Sequence, residues 1–183
     1  RVAAAEALPV YNALAKDLKD RVDRGYGVVE KGAPRVTLPI HPGADPAFLH
    51  MIEESGLSVP LTVFSWIGPW QKVKSKYTTY AEKSAEAQLR SGTYNNTYSW
   101  GYVLGETAKA LNLDGIIQFY HFSCRPIAMA SVLAKDVIQD NYDIPVLNLE
   151  GDWWDTRDYS PEALMTRVET FGEMLRAKKA AKV

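Results

Sequence analysis

Apolar residues recur at helical spacing in the first part of the chain and then follow a repeated strand-and-helix pattern. Residues 3–24 carry an apolar stripe, which predicts an amphipathic helix. The stripe consists of Leu8, Tyr11, Leu14, Leu18 and Val22. Glycines and a proline within residues 25–34 end this pattern. From residue 35 onward, short apolar runs alternate with amphipathic segments, which indicates strands that alternate with helices.

The alternating part predicts an α/β fold. Strands are expected over residues 35–40, 57–66, 115–121 and 144–150, and helices over 46–55, 70–90, 98–111, 125–139 and from 161 onward. Strands that alternate with helices favour a parallel sheet with helices on both faces. We therefore predict a Rossmann-like domain with a mostly parallel sheet of four or slightly more strands, preceded by a helical lead-in.

The same pattern predicts the domain organisation. Residues 1–32 are expected to be a helical lead-in or linker from a missing N-terminal half, and residues 33–183 a Rossmann-like C-terminal domain. The chain begins at Arg1 and within a helical pattern, so a fragment or a processed chain is expected.

Composition narrows the class of protein. Of 183 residues, 46% are hydrophobic and 23% are charged, and the formal net charge is -1, so no bulk attraction to nucleic acid or to an anionic membrane is expected. No apolar run approaches the roughly 18 residues of a membrane span. The single cysteine excludes an internal disulfide and fits a reducing compartment, so we expect a cytoplasmic protein.

That cysteine, Cys124, lies where an α/β fold places its chemistry. It follows the apolar run of residues 115–121, and Pro126 suits the first turn of the next helix. Ser123 or Cys124 is the expected N-cap, and a thiol there would feel the positive end of the helix dipole, which favours the thiolate. The alternative is a small buried apolar side chain, since free cysteine is among the most buried residue types.

Other polar and aromatic side chains follow the predicted strands, at the edge where open α/β sheets bind ligands. The candidates are His41 after the first strand, Trp66 after the second, His121 and Ser123 after the third, and Glu150, Asp152, Asp155 and Arg157 after the fourth. Arg157 could bind phosphate or carboxylate, or form a salt bridge with a neighbouring aspartate. Asp152, Asp155 and Asp158 could bind a hard cation or serve as solvated, helix-capping charges.

Several familiar motifs are missing from the sequence. There is no G-x-G-x-x-G after the first strand, no Walker A sequence and no G-x-S-x-G elbow, so dinucleotide binding, ATP hydrolysis by this chain and serine-hydrolase chemistry lack support. A Cys–His acyl-transfer pair could be built from Cys124 with His41 or His121.

A set of spaced motifs resembles the C-terminal half of the 2-hydroxyacyl-CoA dehydratase and benzoyl-CoA reductase subunit family. They are LDGII at 113–117, Cys124, IPVLNLEGD at 144–152, DTR at 155–157 and TRVETFGE at 166–173. The segments APR at 33–35 and IEESG at 52–56 also resemble the corresponding parts of the family pattern, so the resemblance extends over essentially the whole chain.

The resemblance implies a radical enzyme. In that family two Rossmann-like halves share a [4Fe-4S] cluster, and an ATP-hydrolysing iron–sulfur activator injects one electron. The 2-hydroxyacyl-CoA then loses its hydroxyl through a ketyl radical. Cys124 matches the cluster ligand of the second half, and a homologous partner subunit is expected. We expect Glu150, Asp152 and His121 to be catalytic and His41, Trp66 and Arg157 to contact the acyl-CoA.

One departure from the family pattern keeps alternatives open. A single thiolate cannot hold the cluster, so its other ligands would lie outside this chain, which is expected to be inactive alone. A benzoyl-CoA reductase-type subunit that reduces an aromatic acyl-CoA is the nearest alternative. A scaffold module without a cluster and a Cys–His hydrolase are the others.

Overall fold

The computed structural model describes residues 4–39, 47–62, 75–90, 97–152, 155, 157 and 160–181. The chain divides into two compact units, Arg1–Gly32 and Ala33–Val183. The origin of residues 1–32 as a linker from a missing half stays a prediction.

The first unit contains helix α1 (Ala4–Asp23), as the apolar stripe predicts. Three ion pairs at i, i+4 spacing run along its polar side: Asp17–Arg21, Lys19–Asp23 and Asp20–Arg24. Such pairs stabilise a helix only modestly, by about 0.2–0.5 kcal/mol each. The five side chains of the stripe are each more than half exposed.

The second unit has the predicted α/β architecture. Its elements are β1 (Arg35–Thr37), α2 (Ala47–Glu54), β2 (Ser58–Leu61), α3 (Tyr80–Arg90), α4 (Thr97–Ala110), β3 (Gly115–His121), α5 (Arg125–Tyr142), β4 (Val146–Gly151) and α6 (Pro161–Ala180). The four strands are all parallel and lie in the order β2-β1-β3-β4. The order reverses between β1 and β3, and such a switch point is where open α/β sheets bind ligands.

Each face of the sheet has its own core, because successive side chains of a strand point to opposite faces. On one face Ile117 and Phe119 of β3 pack with α2 and α6, and the rings of Phe48 and Phe119 are 5.1 Å apart. On the other face Ile116 packs with α4 and α5. Helices therefore cover both faces, as the strand pattern predicts.

The prediction of a helix that begins at Trp70 is wrong for residues 75–79, which are not helical. A capping box sets the start of α3 instead. The Thr79 hydroxyl accepts a hydrogen bond from the Glu82 N–H at 3.3 Å, and the Glu82 carboxylate accepts one from the Thr79 N–H at 3.4 Å. This reciprocal pair satisfies two backbone donors at a helix start, so the helix begins after Thr79. Residues 70–74 lie outside the described residues.

Helix α5 is also one turn longer than predicted, because residues 140–142 continue the helix instead of turning. The chain leaves the helix at Asp143, whose φ of 53° is left-handed. Its backbone N–H donates to the Gln139 carbonyl at 3.3 Å. Aspartate tolerates this conformation better than most residues, so the stop needs no glycine.

Two glycines let α4 and α5 approach closely. A Cβ on Gly101 would lie 2.7 Å from the Val137 Cβ, and one on Gly105 would overlap the Tyr142 ring. The Tyr142 hydroxyl donates to a Glu106 carboxylate oxygen at 3.0 Å. Burial, followed by this carboxylate, raises the pKa of Tyr142 to about 12. The Tyr142 phenol therefore stays protonated at neutral pH, and its hydroxyl joins the end of α5 to Glu106 of α4.

A buried amide lies at the centre of the same face. The Gln118 side chain is fully buried; its oxygen accepts from the Trp100 indole N–H at 3.2 Å, and its nitrogen donates to the Asn148 Oδ1 at 2.8 Å and to the Ser131 carbonyl at 3.0 Å. Gln118 and Asn148 are also direct neighbours in the β3–β4 register. This network joins two helices and two strands through one side chain.

We predict that Gly101→Ala lowers the free energy of unfolding by about 1–3 kcal/mol, because the added methyl overpacks the α4–α5 contact. The matched control is Gly172→Ala in α6, where the nearest atom to a new Cβ belongs to the flexible end of Arg176, 3.3 Å away. Alanine is the better helix former, so the control should be neutral or stabilising. Urea unfolding of both variants checks this, and equal effects would contradict the close approach.

We predict that Gln118→Leu destabilises the chain by about 3 kcal/mol, because it leaves the buried Trp100 N–H and the half-buried Asn148 Oδ1 without this partner. Gln139→Leu on the exposed side of α5 is the control, with an expected change within about 0.5 kcal/mol. Equilibrium denaturation measures both changes. A loss for Gln118→Leu no larger than that of the control would show that the network contributes little.

Candidate functional site

The site is built on the parallel pairing of β3 with β4. The two strands stay in register over six residue pairs, from Ile116 with Val146 to His121 with Gly151. One further bond, from the Phe122 N–H to the Gly151 carbonyl at 3.2 Å, continues the contact past the strand ends. The loops that follow the two strands therefore start side by side at the carboxyl edge of the sheet.

Cys124 is the N-cap residue of α5, and Pro126 lies in the first turn of the helix, as predicted. The Cys124 N–H donates to the His121 carbonyl at 3.0 Å, which closes a tight turn between β3 and α5. The thiol makes no capping hydrogen bond and is partly exposed. The alternative of a small buried apolar side chain is therefore wrong for Cys124.

His121 and Asp152 come together at this edge. The His121 Nε2 lies 3.3 Å from the Asp152 Oδ1, and both side chains are largely buried, with 13% and 15% of their surface exposed. On the other side of the ring, the His121 Nδ1 is 3.0 Å from the Ser123 backbone nitrogen and 2.9 Å from the Ser123 hydroxyl. The Phe122 ring stacks on the imidazole at 5.0 Å.

Glu150 lies apart from this pair, because it is one residue before Gly151 and so points to the other face of the sheet. Its carboxylate accepts a hydrogen bond from the Tyr120 hydroxyl at 3.3 Å. Burial, followed by the charge of Glu150, raises the pKa of Tyr120. Position at a strand end alone does not mark Tyr120 as a site residue. The β3–β4 register does identify it, because Tyr120 lies directly opposite Glu150 and on the same face of the sheet, just before the strands end.

Arg157 forms a salt bridge with Asp155, one of the two alternatives that the sequence left open. Its Nε and terminal nitrogen reach both carboxylate oxygens, at 2.8 and 2.5 Å. These hydrogen bonds hold the pKa of Asp155 below its usual value. The Arg157 side chain is 87% exposed, so the pair leaves much of the guanidinium facing solvent.

The remaining predicted site residues lie outside the described residues. They are His41 and Trp66, whose contact with an acyl-CoA stays a prediction, and Asp158 of the acidic loop. Asp152 and Asp155 contact each other through a backbone N–H, from Asp155 to the Asp152 Oδ1 at 3.2 Å. Within the described part of the chain, no three His, Cys, Asp or Glu side chains are placed to hold a metal ion.

The residues present can be compared with what a [4Fe-4S] cluster requires, which is about four thiolate ligands. Cys124 is the only cysteine of the chain. It is partly exposed and lies in a tight turn at the start of α5, where the positive end of the helix dipole favours a thiolate ligand. The chain therefore fits such a cluster as the donor of one ligand, and the others would come from outside these 183 residues.

Comparison with known proteins gives the family. Residues 2–175 match the family described as 2-hydroxyglutaryl-CoA dehydratase, D-component. Lactoyl-CoA dehydratase subunit alpha from Anaerotignum propionicum is 30% identical over 69 residues, which are 38% of this chain and 16% of that relative. The match thus spans less than a fifth of the relative's length.

None of the helices in the described part of the chain is long and apolar enough to cross a membrane. The resemblance drawn from the motifs is confirmed by the family match, which extends over nearly the whole sequence. The chain belongs to the 2-hydroxyglutaryl-CoA dehydratase D-component family.

Proposed function

We propose that this chain is part of an iron–sulfur enzyme of the 2-hydroxyacyl-CoA dehydratase type. Such an enzyme would remove water from a 2-hydroxyacyl-CoA through a ketyl radical, after ATP-driven one-electron activation. Family membership supports the reaction class. The observation that carries the proposal is the position of the Cys124 thiol, in a turn at the carboxyl edge of the sheet beside acid–base side chains.

In this proposal Cys124 supplies one ligand of a [4Fe-4S] cluster. When bound, the cluster would supply a low-potential electron. The thiol lies at the N-terminus of α5, where the positive end of the helix dipole would stabilise the ligand thiolate. Charge around a ligand sulfur tunes the potential of a cluster, so this dipole would adjust it.

We assign Glu150, Asp152 and His121 to orientation or proton transfer around the reacting groups. These side chains belong to two separate contacts: His121 with Asp152, and Glu150 with Tyr120. A phenol whose pKa is raised keeps its proton at neutral pH, so Tyr120 donates to Glu150 and fixes the direction of that carboxylate. Glu150 itself is exposed at the edge, where it is open to a bound molecule.

We assign Arg157, with His41 and Trp66, to the acyl-CoA. The Arg157 guanidinium is mostly exposed, and Asp155 holds it in one orientation. A guanidinium oriented in this way suits the phosphate groups of coenzyme A, which it can bind with two parallel hydrogen bonds.

The proposed enzyme needs further components. The name of the curated relative, a subunit alpha, supports a partner subunit. We propose a homologous partner subunit and an ATP-dependent iron–sulfur activator protein, acting in the cytoplasm. Because this chain has one cysteine, we expect it to be inactive on its own.

We predict that the full-length protein, purified without oxygen, contains about four irons and four acid-labile sulfides. Cys124→Ser should deplete or destabilise this content, because serine is a far poorer ligand for iron in such clusters than thiolate. Colorimetric iron and sulfide assays measure the change, alongside the rate of water loss from a 2-hydroxyacyl-CoA in the presence of the activator.

Met129→Ser is the control for that experiment, because it introduces the same residue on an exposed position of the same helix. It should keep the iron content of the parent protein. Absence of iron from the parent protein, even after reconstitution, would exclude the proposed function and leave a scaffold without a cluster. Reduction of an aromatic acyl-CoA in place of water loss would assign the chain to a benzoyl-CoA reductase-type enzyme.

We predict that Arg157→Ala raises the KM for the acyl-CoA by about tenfold and leaves kcat nearly unchanged, because it removes binding remote from the reacting atoms. Arg125→Ala, at an exposed position at the start of α5, is the control for loss of one positive charge. Steady-state kinetics with the holoenzyme separate KM from kcat. A fall in kcat with constant KM would instead place Arg157 at the chemistry.

A further inference from the structure

The hydrogen bonds around His121 determine which ring nitrogen carries the hydrogen. A backbone N–H can only donate, so the Ser123 N–H at 3.0 Å makes the His121 Nδ1 an acceptor. The ring hydrogen then belongs on Nε2, the nitrogen that faces the Asp152 carboxylate at 3.3 Å. The two ring nitrogens therefore have different roles: Nδ1 accepts from Ser123, and Nε2 donates to Asp152.

Asp152 is itself held in place. Its Oδ1 accepts the Asp155 N–H at 3.2 Å, so the loop after β4 orients the carboxylate towards the imidazole. Both side chains are about 85% removed from solvent. Hydrogen bonds are electrostatically stronger in such surroundings than in water, which strengthens the preference for the hydrogen on Nε2.

His121 also binds the backbone of the turn that carries the thiol. Its Nδ1 accepts the Ser123 N–H, and its carbonyl accepts the Cys124 N–H at 3.0 Å. His121 thus accepts the backbone N–H groups of Ser123 and Cys124, the two residues directly before α5. With the hydrogen on Nδ1, the Ser123 hydroxyl at 2.9 Å could accept it, but the Ser123 backbone N–H would face a second donor and lose its acceptor.

We propose that Asp152 and His121 are positioning residues for the Cys124 turn. Asp152 fixes the Nε2–H tautomer of His121, and the Nδ1 acceptor fixes the backbone of Ser123 and Cys124. The orientation of the Cys124 thiol is therefore determined by the loop that follows β4. This inference rests on the proposed function only where it takes Cys124 as a cluster ligand. Of the three residues assigned to orientation or proton transfer, it gives Asp152 and His121 the orienting role.

The tautomer is tested by ¹⁵N NMR of the full-length protein labelled at histidine, with His121 identified by its absence from His121→Asn. The expected result is a protonated Nε2 and a hydrogen-free Nδ1. In Asp152→Asn, where a carboxamide replaces the charged acceptor, the Nδ1–H tautomer should become populated. A protonated Nδ1 in the parent protein, or no change in Asp152→Asn, would overturn the proposal.

Two substitutions at position 121 separate the roles of the ring nitrogens. His121→Asn keeps an acceptor near the position of Nδ1, whereas His121→Gln keeps a donor near Nε2 and loses that acceptor. If Nδ1 positions the turn, the Gln variant should release iron about tenfold faster than the parent protein, and the Asn variant should stay close to it.

The reverse order of the Asn and Gln variants would contradict the positioning role. If the parent protein binds no iron, the proposed function fails, while the NMR experiment still decides whether Asp152 fixes the tautomer. Exchange of the Ser123 amide hydrogen provides the matching readout in that case. It should be faster in His121→Gln than in His121→Asn, and equal rates would overturn the role of Nδ1.

Discussion

The in-register pairing of β3 with β4 is the constraint on which the rest of the site depends. It brings the Cys124 turn next to the Asp152 loop and defines which side chains share a face. A shift of one residue would move every side chain of one strand to the opposite face, so register needs a strong determinant. The Gln118–Asn148 pair provides one, because the hydrogen bond between the fully buried Gln118 and the half-buried Asn148 forms only when these two positions are opposite each other.

Polarity changes in steps along this strand pair. On the α4–α5 face, Ile116 opposite Val146 is followed by Gln118 opposite Asn148 and then by Tyr120 opposite Glu150. The first pair is apolar, the second consists of amides and the third is a phenol with a carboxylate. The polar side chains of the second and third pairs contact each other, and the carboxylate lies at the exposed end of the strands. The strand pair therefore changes from an apolar core to an ionisable edge without leaving a charge in its interior.

The sequence predicted the elements and the two-faced sheet because these follow from short-range signals. Residues 115–121 are largely apolar, and Ser160 with Pro161 marks the start of α6 directly. The errors occurred where a local cap outweighed the apolar pattern. The Thr79–Glu82 capping box delays α3, and the left-handed Asp143 lets α5 run one turn further than the polar residues suggested.

The site was predictable as a set of residues but not as a set of contacts. Position at a strand end identified His121, Glu150 and Asp152 as candidates. It did not predict that side-chain alternation places Glu150 and His121 on opposite faces. Nor did it predict that Asp152, just past the strand, contacts the imidazole. The partner of Glu150 is Tyr120, thirty residues away in sequence, and only the register reveals it. One pair lies against the Cys124 turn, and the other lies on the α4–α5 face. The sheet therefore separates the placement of the thiol from the placement of an exposed carboxylate, a division that a single loop bearing all these groups could not provide.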